Sequence, residues 1–252
     1  YRLMENGSGY LRITEFSDGT TPENGTAAQF KAAVGSLTTQ GATGLVIDVR
    51  NNPGGSLDAV ASVLDQILPA GNIVSSAGKD GVKQVLYTSD SNQLSLPLAV
   101  LVNQNSASAA ELLACAVKDY GKGTLVGTTT YGKGTMQQLF ALTDGSALNL
   151  TIAKFFPPVS DNFDGVGVAP DIVAELSEDL QERFYFLTDD EDTQLKMAVS
   201  ALMIGGAQTN TGGSDGGDPS AEESGSAEPG AESAETSSAA ALEDSARQVL
   251  HL

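Results

Sequence analysis

The sequence predicts an α/β domain with antiparallel additions in its C-terminal half, followed by a disordered acidic tail. Strand–loop–helix units recur through the middle of the chain, and short all-apolar runs are typical of strands buried on both faces. Two such runs, Gly44-Leu-Val-Ile-Asp-Val49 and Leu98-Ala-Val-Leu-Val102, each lead through a turn-rich loop into a helical pattern. Near Gly205 the composition changes to mostly Gly, Ala, Ser, Glu, Asp, Thr and Pro. Between Gly206 and Leu252 there are nine acidic residues, against Arg247 alone. Such a stretch cannot bury enough apolar surface to offset the entropy of ordering it. The domain is therefore placed at 1–204 and the tail at 205–252. About 200 residues suffice for one sizeable core.

Taken in order, Gly9–Phe16 alternates apolar and polar residues and reads as a strand. Thr26–Leu37 carries Ala27, Phe30, Ala33, Val34 and Leu37 at helical spacing. The first apolar run ends in Arg50-Asn-Asn-Pro-Gly-Gly55, a loop of turn-forming residues. Ser56–Leu68 resumes the helical period, with Ser56 placed to cap it. The second run ends in Asn103-Gln-Asn-Ser106, and a helix follows from about Ala107 to Tyr120. A strand at Thr124–Gly127, a Gly-flanked loop to Gly134, and strands near Gln138–Leu142 and Ala147–Lys154 come next. Asp179–Leu187 and Asp192–Met203 read as closing helices.

Charge and composition exclude several function classes. A net charge of −19 opposes binding to phosphate backbones, which needs clustered Lys and Arg. It equally opposes an anionic membrane surface. No apolar run approaches the ~18 residues of a bilayer span. No signal peptide is recognisable, and a start at Tyr1 suggests a piece of something longer. Cys115 has no partner for an internal disulfide. The single histidine, His251, is next to last and falls in the tail. A His-based triad, a zinc site and a Cys–His dyad therefore all lose their base or ligand.

Chemistry has two candidate centres. Ser108 stands at the start of a buried, small-residue-rich helix, Ala107-Ser-Ala-Ala-Glu-Leu-Leu-Ala-Cys-Ala116. Free N–H groups and the positive end of the helix dipole there would stabilise an oxyanion. The plain alternative is that Ser108 only caps its helix. Lys133 lies between two glycines in Thr128-Thr-Thr-Tyr-Gly-Lys-Gly134. Its plain alternative is a solvated surface charge. A catalytic role needs it buried, because holding a Lys neutral at pH 7 costs roughly 4–5 kcal/mol and desolvation supplies the shift. Gln137 is four residues on, a spacing that puts two side chains on one face, so its amide could orient the amine. Gly127–Lys133 also fits the first seven positions of a P-loop. The next residue is Gly134 where Ser or Thr should hold Mg²⁺, and a strand pattern follows instead of a helix.

The sequence resembles the tail-specific proteases, the C-terminal processing serine peptidases of peptidase family S41. The matching blocks are Gly9–Phe16, Gly44–Gly55, Val102-Asn-Gln-Asn-Ser-Ala-Ser-Ala-Ala-Glu111, Val126-Gly-Thr-Thr-Thr-Tyr-Gly-Lys-Gly-Thr-Met-Gln-Gln138 and Gly165-Val-Gly-Val-Ala-Pro-Asp171. They fall in the family's order over residues 9–203. The resemblance implies a crotonase/ClpP-like α/β spiral core. It also implies Ser108 as nucleophile, Lys133 as general base and Gln137 as the residue positioning that base. Backbone N–H groups of Gly54 and Ala109 would form the oxyanion hole. Asp119 matches an acidic position associated with activity, and Asp48 and Arg50 would brace the oxyanion loop. No metal or organic cofactor is implied.

The implied partners are protein or peptide substrates with apolar C-termini, and the implied location is extracytoplasmic. Family members carry a PDZ domain ahead of the Gly9 block, and none is recognisable here. Two departures stand in the nucleophile block: Asn105 where Gly is common and Ala110 where Ser is common. Two alternatives remain beside the peptidase, an inactive peptide-binding pseudo-enzyme of the same fold and an acyl-CoA enzyme on the related crotonase fold. In the tail, Leu242, Ala246, Val249 and Leu250 share a helical face before an apolar end, which raises self-processing against a plain solubilising tail. Asp189-Asp-Glu-Asp192 lacks the alternating ligands of an EF-hand loop and reads as a solvated helix start.

Overall fold

In a computed structural model the chain is described over residues 1–208. The helical face from Leu242 to Leu250, His251 and nearly all of the expected tail lie outside the described residues. In chain order the strands are β1 (Arg2–Leu3), β2 (Gly9–Arg12), β3 (Leu45–Asp48), β4 (Gly71–Ala77), β5 (Lys83–Ser89), β6 (Leu98–Val102), β7 (Gly123–Gly127), β8 (Thr135–Ala141), β9 (Ala147–Phe156) and β10 (Ile172–Val173). The helices are α1 (Thr26–Thr39), α2 (Leu57–Asp65), α3 (Ala109–Asp119), α4 (Glu178–Glu182) and α5 (Thr193–Gln208).

The two apolar runs become the centre of a six-stranded sheet ordered β1-β2-β3-β6-β7-β10. From β2 to β10 its neighbours pair in parallel. Every residue of β3 and β6 is buried, which explains why neither run alternates. On one face Leu45, Ile47, Leu98 and Val100 join the core formed with α1, α2 and α3. On the other, Val46, Ala99, Leu101 and Val126 pack against Leu195, Ala198, Val199 and Leu202 of α5. Full burial of each Val or Leu among them is worth about 1.5–3 kcal/mol, so α5 is a structural layer and not an appendage. Ser56 caps α2 as expected, its Oγ accepting the Ala59 N–H at 3.1 Å.

A second sheet, ordered β5-β4-β9-β8, is antiparallel throughout. Strands β4 and β5 are absent from the sequence-based expectations. Register shifts between Asn72 and Val74 and between Val74 and Ser75 break the two-residue period. The usable signal was the Gly78-Lys-Asp-Gly81 turn between two runs containing β-branched residues. Strand β2 is shorter than expected, and Phe16 instead forms an isolated parallel bridge with Gly55. The helix expected at Asp179–Leu187 breaks at Arg183 into α4 and a 3-10 turn, Phe184–Phe186. This break lets Phe184 stack over Arg12 and Arg50, whose guanidinium carbons lie 4.8 and 4.7 Å from its ring centre.

Candidate active site

Ser106 and Ser108 are two residues apart, yet the fold treats them differently. Ser106 is buried, donating to the Val49 carbonyl at 2.8 Å and accepting from the Asn103 N–H. Ser108 is the N-cap residue of α3 at φ 56°, ψ −115°, and forms a capping box with Glu111 in which its hydroxyl faces the Glu111 N–H without a well-aligned hydrogen bond. For a residue with a Cβ this is a strained conformation, the kind that a sharp strand-to-helix turn imposes on an exposed nucleophile. Ser108 thus occupies the capping position, while its side chain also opens onto a cavity.

Ser108 opens onto a cavity of about 400 Å³ whose wall also includes Gly55, Ala109, Lys133 and Gln137. Leu57, Met136 and Phe155 supply its apolar surface, and no carboxylate lines it. Lys133 is half-buried rather than fully enclosed. Among the described residues no carboxylate lies within ion-pairing distance of its amine. No hydrogen bond joins Ser108 Oγ to Lys133 Nζ in this structure.

What joins the two centres is Glu111, which sequence reasoning missed. It is fully buried. Its Oε2 accepts the N–H groups of Ser108 and Lys133, each at 2.8 Å. Its Oε1 accepts Thr130 Oγ1 and the Gly132 N–H, each at 2.6 Å. One carboxylate thus fixes the backbone of both proposed catalytic residues. The signal was present in the sequence: Ser108-Ala-Ala-Glu111 has the spacing of a capping box.

The loop expected to form the oxyanion hole, residues 50–55, differs from expectation in one respect. The Gly54 N–H donates to Asn52 Oδ1 at 2.8 Å, so it is not open to a ligand here. Asn52 Nδ2 in turn donates to the Ile13 carbonyl, and the Asn52 carbonyl accepts the Ala107 N–H. The N–H groups of Gly55 and Ala109 have no protein acceptor among the described residues, and both residues line the cavity. Gly54 has φ 103°, and a Cβ there would lie 2.8 Å from Ser108 Cβ. Gly55 has φ 131°, and its Cβ would lie 2.0 Å from the Phe16 carbonyl oxygen. Only glycine fits at either position.

Gln137 faces the cavity but is exposed, and its Oε1 contacts Asn149 Nδ2 at 3.5 Å rather than Lys133. The shared-face argument from a spacing of four does not describe the geometry. Lys133 precedes β8, and a register shift falls between Met136 and Gln137. Asp119 lies at the far end of α3 and does not line the cavity. It accepts the Val159 and Ser160 N–H groups, each at 2.9 Å, and anchors that loop. Asn105 Nδ2 donates to Asn51 Oδ1 at 2.9 Å, linking the nucleophile loop to the oxyanion loop.

Asp48 and Arg50 are buried at the root of the proposed oxyanion loop. Arg50 pairs with both oxygens of Asp48 and with Asp192. Burial alone would lower the Arg50 pKa, but the two carboxylates outweigh it and hold the guanidinium charged. Burial, then the adjacent Asp48, pushes the Tyr10 phenol up, and Tyr10 donates to Asp48 Oδ2 at 2.7 Å. The solvated-helix-start reading of Asp189–Asp192 fails at its last residue. Asp192 is buried, pairs with Arg50 and caps α5 by accepting the Leu195 N–H.

A sequence model of Peptidase family S41 matches residues 7–174. The chain belongs to peptidase family S41. The carboxyl-terminal-processing protease of Synechocystis sp. is 36% identical over 198 residues, which cover 79% of this chain and 44% of that protein. The chloroplastic C-terminal processing peptidase of Tetradesmus obliquus is 39% identical over 166 residues, covering 65% and 34%. Among solved structures, a photosystem II D1 C-terminal processing protease superposes with a TM-score of 0.59 at 35% identity, covering 73% of this chain and 48% of that one. Mature CPAF, with a TM-score of 0.61 at 15% identity, shares the fold alone. The S41 chain described here spans less than half the length of these two curated relatives. The expected α/β class is the one observed, and it matches the S41 structures.

Proposed function

We propose that this chain carries the catalytic core of a serine endopeptidase that cleaves proteins near their C-termini, with Ser108 as nucleophile and Lys133 as general base. The observation that carries the reading is the pairing of a strained Ser108 with an amine in one carboxylate-free cavity, both held by Glu111. Serine hydroxyls are weak nucleophiles until a base removes their proton. Without a histidine among the described residues, the Lys133 amine is the titratable side chain that lines the cavity with Ser108.

The Lys133 amine, in its neutral form, takes the Ser108 proton as Oγ attacks the peptide carbonyl carbon. The oxyanion that forms is met by N–H groups of the oxyanion loop and of Ala109. The Lys133 ammonium then protonates the leaving nitrogen, the C–N bond breaks, and an acyl-enzyme remains. Water, deprotonated by Lys133, attacks that ester, and Ser108 leaves with the proton returned. Leu57, Met136 and Phe155 favour apolar residues beside the cleaved bond. By family resemblance the whole protein acts outside the cytoplasm, takes substrates with apolar C-termini and includes a PDZ domain. No helix among the described residues is long and apolar enough to cross a membrane.

A binding-only pseudo-enzyme is the second reading, favoured by the missing Ser108–Lys133 hydrogen bond. Such bonds commonly tighten only when substrate is bound. The test is incubation with an unfolded substrate bearing an apolar C-terminus, beside Ser108→Ala and Lys133→Ala. Cleavage by the parent and by neither variant is expected. Cleavage that survives Ser108→Ala sinks the assignment, and a parent inactive even at full length leaves the binding-only reading.

A further inference from the structure

Residues beyond the part matched by the S41 sequence model reach into the root of the oxyanion loop. The five N–H donors of the Arg50 side chain are all engaged. Nε and Nη2 donate to Asp48 Oδ1 and Oδ2 at 2.9 and 2.7 Å. Nη1 and Nη2 donate to Asp192 Oδ1 and Oδ2 at 3.0 and 2.7 Å. Nη1 also donates to Gln194 Oε1 at 2.9 Å. The Phe184 ring closes the cluster. Arg50 is 2% exposed, Asp192 6% and Gln194 2%, so water does not substitute for any of these bonds.

We propose that Asp192 and Gln194 are positioning residues for the chemistry at Ser108, acting through Arg50 on the oxyanion loop. The proposal rests on the peptidase reading above and adds a component to it. The path is continuous. Asn51, directly after Arg50, holds φ 59°, a conformation that needs support on both sides. Asn52 then ties the Gly54 N–H and the Ala107 N–H, and Ala107 is the residue before Ser108. At the other end Asp192 caps α5, and Gln194 Nε2 donates to the Ala174 carbonyl at 2.7 Å. The clamp is therefore anchored in the helix that packs across the parallel sheet. Removing the Asp192 carboxylate leaves the neutral Asp48–Arg50 pair intact, so the core keeps a paired charge while the loop loses its outer hold.

The test compares the whole protein with Asp192→Ala, Asp192→Asn, Gln194→Ala and, as a control on the exposed face of α5, Ser200→Ala. Two quantities are read: kcat and KM on a peptide substrate, and amide hydrogen exchange across residues 50–57. Misplacement of a catalytic frame by about 1 Å costs on the order of a hundredfold. Asp192→Ala is expected to lose about that much in kcat with KM within about threefold. Asp192→Asn, which keeps one acceptor, should lose less. Exchange at 50–57 should rise at least about tenfold while β6 stays protected, and Ser200→Ala should match the parent. The proposal is overturned by Asp192→Ala with kcat within about threefold of the parent and a protected loop. It is equally overturned if exchange rises as much in β6 as in the loop, since that is general loosening. A parent that never turns over peptide ends the peptidase reading, and loop exchange alone then decides whether the clamp exists.

Discussion

At Ser108 the backbone holds φ 56° and ψ −115°, a conformation natural to glycine. A side chain there costs on the order of 1–3 kcal/mol, partly offset by the greater freedom glycine has when unfolded. Ser108→Gly should therefore be more stable than Ser108→Ala by about 1 kcal/mol, read from urea unfolding, although both lose the proposed nucleophile. Glu111 makes a second test at this scale. In Glu111→Gln one of the two oxygens becomes an NH₂ that must face donors already aimed at it. Either Ser108 and Lys133, or Thr130 and Gly132, lose their acceptor. Buried donors left unpaired cost about 1–3 kcal/mol. A drop of that size in unfolding free energy, with a roughly hundredfold fall in kcat, is expected. Unchanged turnover in a folded variant would remove Glu111 from the site.

Among the elements, three loops after parallel strands line the candidate site, the one after β6 ending at Ser108, as is usual where strand C-termini meet helix N-termini. The loop after β3 presses Gly54 onto Ser108, and the loop after β7 brings Lys133 around. Gly54→Ala places a methyl within 2.8 Å of Ser108 Cβ and the Ala107 carbonyl oxygen. The expected result is a well-folded protein with melting temperature lowered by several degrees and kcat reduced about a hundredfold or more. These loops were visible in the sequence as turn residues after apolar runs. Strands β4 and β5 were not, because their bulges interrupt the alternation that marks a strand. The broken helix at Arg183 was missed for a different reason: Phe184 leaves the helical path to stack on arginines far away in sequence.

For the molecule as a whole, alkaline pH reports on what is buried. Burial, then Asp119, pushes the Cys115 thiol up to about 12. Burial, then the contact with Asp58, pushes the Tyr87 phenol up to about 12. Unfolded, these groups titrate near 8.5 and 10. A folded pKa above the unfolded one contributes stability that is complete below the unfolded value and is lost as pH rises through the folded one. Melting temperature should thus hold between pH 7 and about 8.5 and fall from about 9 toward 12. Cys115→Ala should flatten the early part of that fall, because the Cys115 proton alone contributes a slope of about 1.4 kcal/mol per pH unit. A decline identical to the parent's would mean that the thiol is not sequestered.

The linear order of residues by itself determined the α/β class, the order of the main elements, the S41 resemblance, and Ser108 and Lys133 as the residues to watch. All of these reside in local periodicity and contiguous motifs. Tertiary structure alone decided that the Gly54 N–H is taken by Asn52, that Gln137 points to Asn149, and that Asp119 serves a loop away from the cavity. It also turned an acidic run that reads as solvated into a buried partner for Arg50. The reason is physical: hydrogen-bond partners such as Arg50 and Asp192 are 142 residues apart, and no periodicity of 2 or 3.6 residues carries information over that distance. Only the packing of α5 across the sheet brings them together.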